Sequence, residues 1–310
     1  MSLSIGQIAA ISYQAVLAEN RKAANQWAES AFLRELERQG AIERKSLGSA
    51  IEAPLDYRRN PGTAFLATPL QPTSLNETEI VTAASYDIAE ISVPVTWSKK
   101  TEVQNPTENQ KVAYVKQLLE NGINSHDDAI EEALFTTATN GFLGLAPHVP
   151  SSGQGTDGGI DSAVEAWWRS VSVTYTGDTD IESSLTTGWN TAAKGSGSKL
   201  QPTLLVSDAA TQAIFEGTQQ ANQRYVDSEE LKAGFKILAF KTARYVFSQY
   251  GDSSIYGLNP KNFMVVVSKE YFRERGDTME LQNANGYTFK IYSALQSVTN
   301  NRSRLFVAHV

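Results

Sequence analysis

Residues Gly141 to Ser172 read "GFLGLAPHVPSSGQGTDGGIDSAVEAWWRSVS". Within them Gly153, Gly155 and Gly158 spell G-x-G-x-x-G, the pattern that cradles a dinucleotide pyrophosphate. That chemistry needs a buried strand running into the first glycine and a helix starting at the last, so that free backbone N–H groups and the helix dipole meet the phosphates. Pro147 and Pro150 stand where the strand should be. Neither can donate a ladder hydrogen bond, and each biases its neighbour towards extended or turn geometry, so a nucleotide-binding enzyme is the weaker reading. The glycines read better as sharp turns beside Trp167 and Trp168, whose bulk calls for burial.

The rest of the chain narrows the classes. Its 310 residues and 33.9 kDa suit two ordinary domains, or one large domain with extensions. A hydrophobic content of 41% supports a packed core. Cysteine is absent, which removes disulfides, thiolate zinc sites and cysteine nucleophiles together. A net charge of −7 carries no electrostatic footprint of a dedicated nucleic-acid binder. The start, "MSLSIGQIAAISYQ", has no basic region followed by an apolar core, and no apolar run reaches the ~18 residues of a membrane span. A soluble, non-secreted protein without a membrane partner is expected.

Chemistry-bearing patterns are few. The histidines are His126, His148 and His309, and spacing nominates no Ser-His-Asp arrangement. "KGSGSK", Lys194 to Lys199, has the wrong residue order for a phosphate loop. His126, Asp127, Asp128, Glu131 and Glu132 could suggest a metal site, but read as a solvated acidic face opposite the Ile130/Leu134 stripe. The expectation is therefore no catalytic, cofactor-binding or metal residue, and no cofactor.

Periodicity supplies the elements. Ile5 to Gln39 reads as a helix stopped at Gly40. Ile91, Val93, Val95 and Trp97 alternate with polar residues as a half-buried strand, and Pro94 places it near an edge or bulge. Asn105 and Pro106 start a long helix, with Val112, Val115, Leu119, Ile123, Ile130 and Leu134 on one stripe and Gly122 as a candidate break. Later, "LLVS" (Leu204 to Ser207) reads as a strand whose Ser207 caps a helix. "FMVVV" (Phe263 to Val267) reads as a buried strand, with "TFKIY" (Thr288 to Tyr292) and "LFVA" (Leu305 to Ala308) as its partners.

The run from Gly141 through Trp-Trp-Arg, with "GFKILAF" (Gly234 to Phe240), "IYGLNPKNFMVVV" (Ile255 to Val267) and the closing "NNRSRLFVAHV", resembles the major capsid proteins of tailed bacteriophages. The resemblance implies an α+β chain with the Hong Kong ninety-seven-like shell fold. It implies an N-terminal arm over residues 1–47, an extended E-loop over 48–92 and a peripheral domain with a long spine helix over 93–140. An axial domain over 141–287 and a return to the peripheral domain over 288–310 follow. It further implies self-assembly into hexamers and pentamers of an icosahedral virion capsid, built in the host cytoplasm around non-specifically enclosed double-stranded DNA. Expected partners are a portal and a separate scaffolding protein, with a decoration protein as an optional third. An encapsulin-like nanocompartment shell is the alternative. Phe65, Leu66, Leu70, Trp167 and Trp168 are the candidate inter-subunit contacts. No lysine occurs from Ser46 through Ser98, so the lysine–asparagine cross-links of the family's namesake are not expected.

Overall fold

The computed structural model describes residues 30–57, 63, 65, 79–104, 108–177, 179–194, 201–221 and 238–310. Two sheets carry the core. The first contains β1 (Ile42–Lys45), β4 (Ala89–Ser98), β14 (Phe263–Arg275), β15 (Met279–Glu280) and β16 (Gly286–Thr299). β16 lies at its centre, antiparallel to β4 on one side and to β14 and β15 on the other, with β1 parallel to β14. The second runs β11 (Leu238–Phe240), β12 (Ala243–Phe247), β10 (Leu204–Ser207), β13 (Ile255–Leu258), β17 (Phe306–His309) and β9 (Val171–Thr174). Three two-stranded ribbons complete the described strands: β2 (Ala50–Asp56) with β3 (Val81–Asp87), β5 (Ala138–Thr139) with β6 (Phe142–Leu143), and β7 (Thr156–Asp157) with β8 (Ile160–Asp161).

The long helix runs Glu108–Phe135, 28 residues, about 42 Å at 1.5 Å per residue. Val115, Leu119 and Ile123 pack on Val95, Trp97, Phe289 and Ile291 of the first sheet. Ile130 and Leu134 enter the cluster that joins the two sheets. Val112, expected on the same stripe, is 41% exposed and lies off it. Gly122 does not break the helix. A Cβ there would stand 3.0 Å from Val95 Cγ2, so glycine lets the helix lie close on β4. The expected cap at Asn105 and Pro106 lies outside the described residues. β4 is an edge strand with Val95 and Trp97 buried, the position at which Pro94 is tolerated.

Several expectations need correction. The acidic face is solvated only in part: His126, Asp127 and Glu131 are buried, while Asp128 is half-buried and Glu132 exposed. The cap of helix Ala209–Ala221 is Asp208, whose Oδ1 accepts the Thr211 N–H at 2.9 Å, while the Ser207 hydroxyl is paired with Tyr245 at 2.8 Å. "FMVVV" pairs with the far half of β16, Leu295 to Thr299, and "LFVA" belongs to the other sheet, between β13 and β9. A division at 287/288 therefore does not follow the sheets. After β13 the chain returns to the first sheet at Phe263, and its last strand goes back to the second.

From residue 30 the arm is part of the subunit's own core. Ser30 Oγ accepts the Leu33 N–H at 3.0 Å and starts helix Ala31–Arg38. Phe32, Leu33, Leu36 and Ala41 are fully buried against Ile130, Leu134, Val206 and Val265. Gly40, at φ +75°, ends the helix and turns the chain into β1. Over this stretch the N-terminal segment is covered from within the subunit. Residues 1–29 lie outside the described set.

Candidate assembly interface

The β2–β3 ribbon keeps strict register from Ala50↔Asp87 to Asp56↔Val81. Alternation puts Ile51, Ala53, Leu55, Ala84 and Tyr86 on one face, where they pack on Trp168, Val266 and Val298. The Tyr57 N–H reaches the Ile80 carbonyl at 3.2 Å and extends the ladder by a rung. Beyond it Phe65 is fully exposed at 104%. The described strands of the ribbon are anchored on the subunit core, and Phe65 is an uncovered aromatic. Leu66 and Leu70 lie outside the described residues.

The glycine loop is what anchors it. Gly158 and Gly159, at φ +57° and +79°, form the turn of β7–β8. The Gly158 carbonyl accepts the Ser85 N–H at 3.0 Å, and a Cβ on Gly158 would lie 2.5 Å from Ala84 Cβ. The N–H groups a phosphate would need are already used: Gly153 donates to Pro150 O at 2.8 Å and Gly155 to Ser162 Oγ at 2.9 Å. No helix begins at Gly158; strand β8 follows it. The pyrophosphate reading fails on both counts.

Trp168 is 1% exposed and donates its indole N–H to the Asp157 carbonyl at 3.1 Å. It has no surface left for a neighbour, so its expected inter-subunit role is replaced by a core one. Trp167 is half-buried, stacks on Tyr57 with ring centroids 4.9 Å apart and donates to Glu165 at 2.6 Å. The pair clamps the end of the ribbon.

Beneath the clamp lies a buried polar knot. His148 Nδ1 is 2.9 Å from Asp157 Oδ2 and Nε2 is 2.7 Å from Ser297 Oγ. Arg302, 0% exposed, donates to the carbonyls of His148 (2.8 Å), Gly155 (2.9 Å) and Pro147 (3.2 Å). The Tyr86 hydroxyl donates to Thr299 O at 3.1 Å, and burial, together with the Asp157 charge, pushes the phenol far above its ordinary range. The Gln296 side chain ties the β5–β6 turn to the ribbon through Asp87 O at 2.6 Å and Gly141 O at 2.8 Å.

A second array has the same connectivity: His126 Nδ1 to Asp127 Oδ1 at 3.0 Å, and Nε2 to Ser293 Oγ at 2.8 Å. Folding has therefore assembled two Ser-His-Asp sets that spacing could not nominate, because each serine comes from a strand far in sequence from its histidine. Both serines lie on β16, four residues apart. A hydrolytic triad must present its serine to a substrate. Ser297 and both histidines are 0% exposed and Ser293 is 1% exposed, so these sets are tie points between elements. Burial holds the His126 ring below its ordinary 6.5, opposed by the Asp127 bond and reinforced by the Arg273 cation.

No protein-family model matches the chain, and no curated protein matches its sequence. Solved structures do. The capsid asymmetric unit of cyanophage A-1(L) superposes with a TM-score of 0.58 at 16% identity, over 87% of this chain and 90% of that one. The capsid of the myovirus XM1 gives 0.56 at 12% identity, over 87% and 90%. The chain has the Hong Kong ninety-seven-like shell fold. The holo-SrpI encapsulin complex from Synechococcus elongatus gives 0.54 at 9% identity, over 88% and 86%, so the shell fold is common to phage capsids and to this encapsulin. At these identities the likeness is one of fold.

Proposed function

We propose that this chain is the major capsid protein of a tailed phage, a structural subunit that self-assembles into the hexamers and pentamers of an icosahedral shell and turns over no substrate. The observation that carries the reading is the likeness over nearly the whole chain to the phage capsid subunits, 87% of this one and 90% of those. It is supported by the exposed ring of Phe65, between the two strands of the ribbon in sequence. Closed symmetry lets each ribbon lie on the next subunit, so that many modest contacts add up around a ring.

In this reading β2–β3 is the base of the E-loop and Glu108–Phe135 the spine helix. The first sheet is the framework of the peripheral domain, and the second that of the axial domain. Phe65, Leu66, Leu70 and the exposed edge of Trp167 are the contacts made with neighbours. The shell encloses double-stranded DNA without sequence preference, since the chain's charge of −7 argues against tight phosphate pairing. Assembly in the host cytoplasm, a portal, a separate scaffolding protein and a decoration protein belong to the same proposal. Among the described residues no helix is long and apolar enough to cross a membrane.

The encapsulin-like shell is the second reading, favoured by the SrpI superposition. Negative-stain microscopy of the purified protein, followed by analysis of what native particles contain, tests both. Closed shells holding genomic DNA support the capsid, shells holding a cargo protein support the compartment, and a persistent monomer overturns both.

A further inference from the structure

The joint between the long helix and the first sheet contains a closed ring of hydrogen bonds. Opposite β16, strand β14 slips register between Val267 and Phe272, and again between Phe272 and Glu274. At the second slip Arg273 sits at φ +52°, 4% exposed. A non-glycine residue keeps that conformation only where its surroundings enforce it. Those surroundings are specific. The Arg273 backbone N–H donates to Ser293 Oγ at 2.7 Å, and its guanidinium donates to Asp127 Oδ1. His126 bridges the two acceptors, with Nε2 at Ser293 and Nδ1 at Asp127.

Proton accounting gives the ring a single direction. The Asp127 carboxylate can only accept, so Nδ1 of His126 carries the hydrogen and Nε2 is bare. Ser293 already receives the Arg273 N–H and gives its own hydrogen to Nε2. A second proton on His126 would set an N–H against that hydroxyl hydrogen and leave it without an acceptor in the ring. The groups facing the imidazole are Asp127 from its own helix, Arg273 and the Phe272 ring edge (centroids 5.9 Å apart) from β14, and Ser293 from β16. Glu37 and Arg44 couple to the same network from helix Ala31–Arg38 and from β1. Burial raises the Glu37 carboxyl, and the Arg44 and Arg273 cations oppose the rise.

We propose that this ring is an acid-sensitive latch: with His126 neutral it holds Arg273 in the left-handed bulge, and protonation of His126 opens it and frees the joint between the long helix and the β14–β16 pair. The folded state holds His126 below 6.5 and the unfolded chain does not. The unfolded state therefore binds the extra proton first. The stabilisation is complete above pH 6.5 and declines by up to tenfold in the folding constant per pH unit below it, until the folded-state value is reached.

The test uses the full-length protein, with urea unfolding from pH 7.5 to 5.5 and amide hydrogen exchange over residues 268–275, corrected for the intrinsic pH dependence of exchange. Wild type should lose up to about tenfold in the folding constant between pH 7.5 and 5.5, with selective loss of protection at Arg273. His126→Gln should lose less than threefold. Ser293→Ala, which breaks the ring without adding charge, should already lack the Arg273 protection at pH 7.5. Parallel pH profiles for wild type and His126→Gln overturn the proposal. So does unchanged Arg273 protection in wild type at pH 5.5, a readout that stands even if neither variant folds.

Discussion

Replacing Gly158 with alanine tests whether the glycine loop serves to seat the ribbon. Two costs follow from the structure. The residue sits at φ +57°, where a Cβ costs about 1–2 kcal/mol. The new methyl would also stand 2.5 Å from Ala84 Cβ and 3.0 Å from Tyr86 Cζ and Oη, an overlap that costs about 1–3 kcal/mol when neighbours must shift. The sum is about 2–5 kcal/mol out of a typical total of about 5–15 kcal/mol. Gly159 provides the control. It has φ +79°, and its methyl would meet nothing within 4 Å, so Gly159→Ala should show the backbone cost alone, about 1–2 kcal/mol. Urea unfolding of both variants measures the difference, and microscopy reports whether shells still close. Adding Ala84→Gly to Gly158→Ala should recover part of the packing cost as a coupling energy, because the two sites touch. If Gly158→Ala is no more destabilising than Gly159→Ala, the loop does not hold the ribbon by close approach and the reasoning fails.

Three further outcomes are expected. Trp168→Ala should lower stability by about 3–5 kcal/mol, the range for removing a buried aromatic, and also loses the bond to Asp157 O; a loss below about 1 kcal/mol in urea unfolding would place the indole outside the core. Phe65→Ser should leave subunit stability within about 0.5 kcal/mol, as an exposed substitution does, yet weaken assembled particles in a urea-dissociation series; equal particle stability removes Phe65 from the interface. Particles boiled in detergent should run as a single band near 33.9 kDa, because the segment 46–98 has no lysine and Lys99, just past β4, is paired with Glu280 and lies over the Tyr287 ring; a ladder of covalent multimers refutes this.

The sequence by itself determined the elements whose signal is local. The 28-residue helix and the half-buried strand β4 were legible because burial of one face imposes a period of 3.6 or 2 on neighbouring residues, and the strands at Leu204 and Phe263 because each is a short continuous apolar run. Two prolines were enough to weaken the phosphate reading of the glycine loop, since proline's missing N–H is also a local property. Partnership is not local, and there the tertiary structure alone decided. Which sheet receives β17, why the Ile130/Leu134 helix buries acids as well as apolar residues, and that Trp168 belongs to the core depend on residues far apart in the chain. His148 meets Ser297 and His126 meets Ser293 only because β16 runs through the middle of the first sheet, past both histidines. A buried charge is tolerable only where its partners arrive from elsewhere, so its place cannot be read from its own neighbours in sequence.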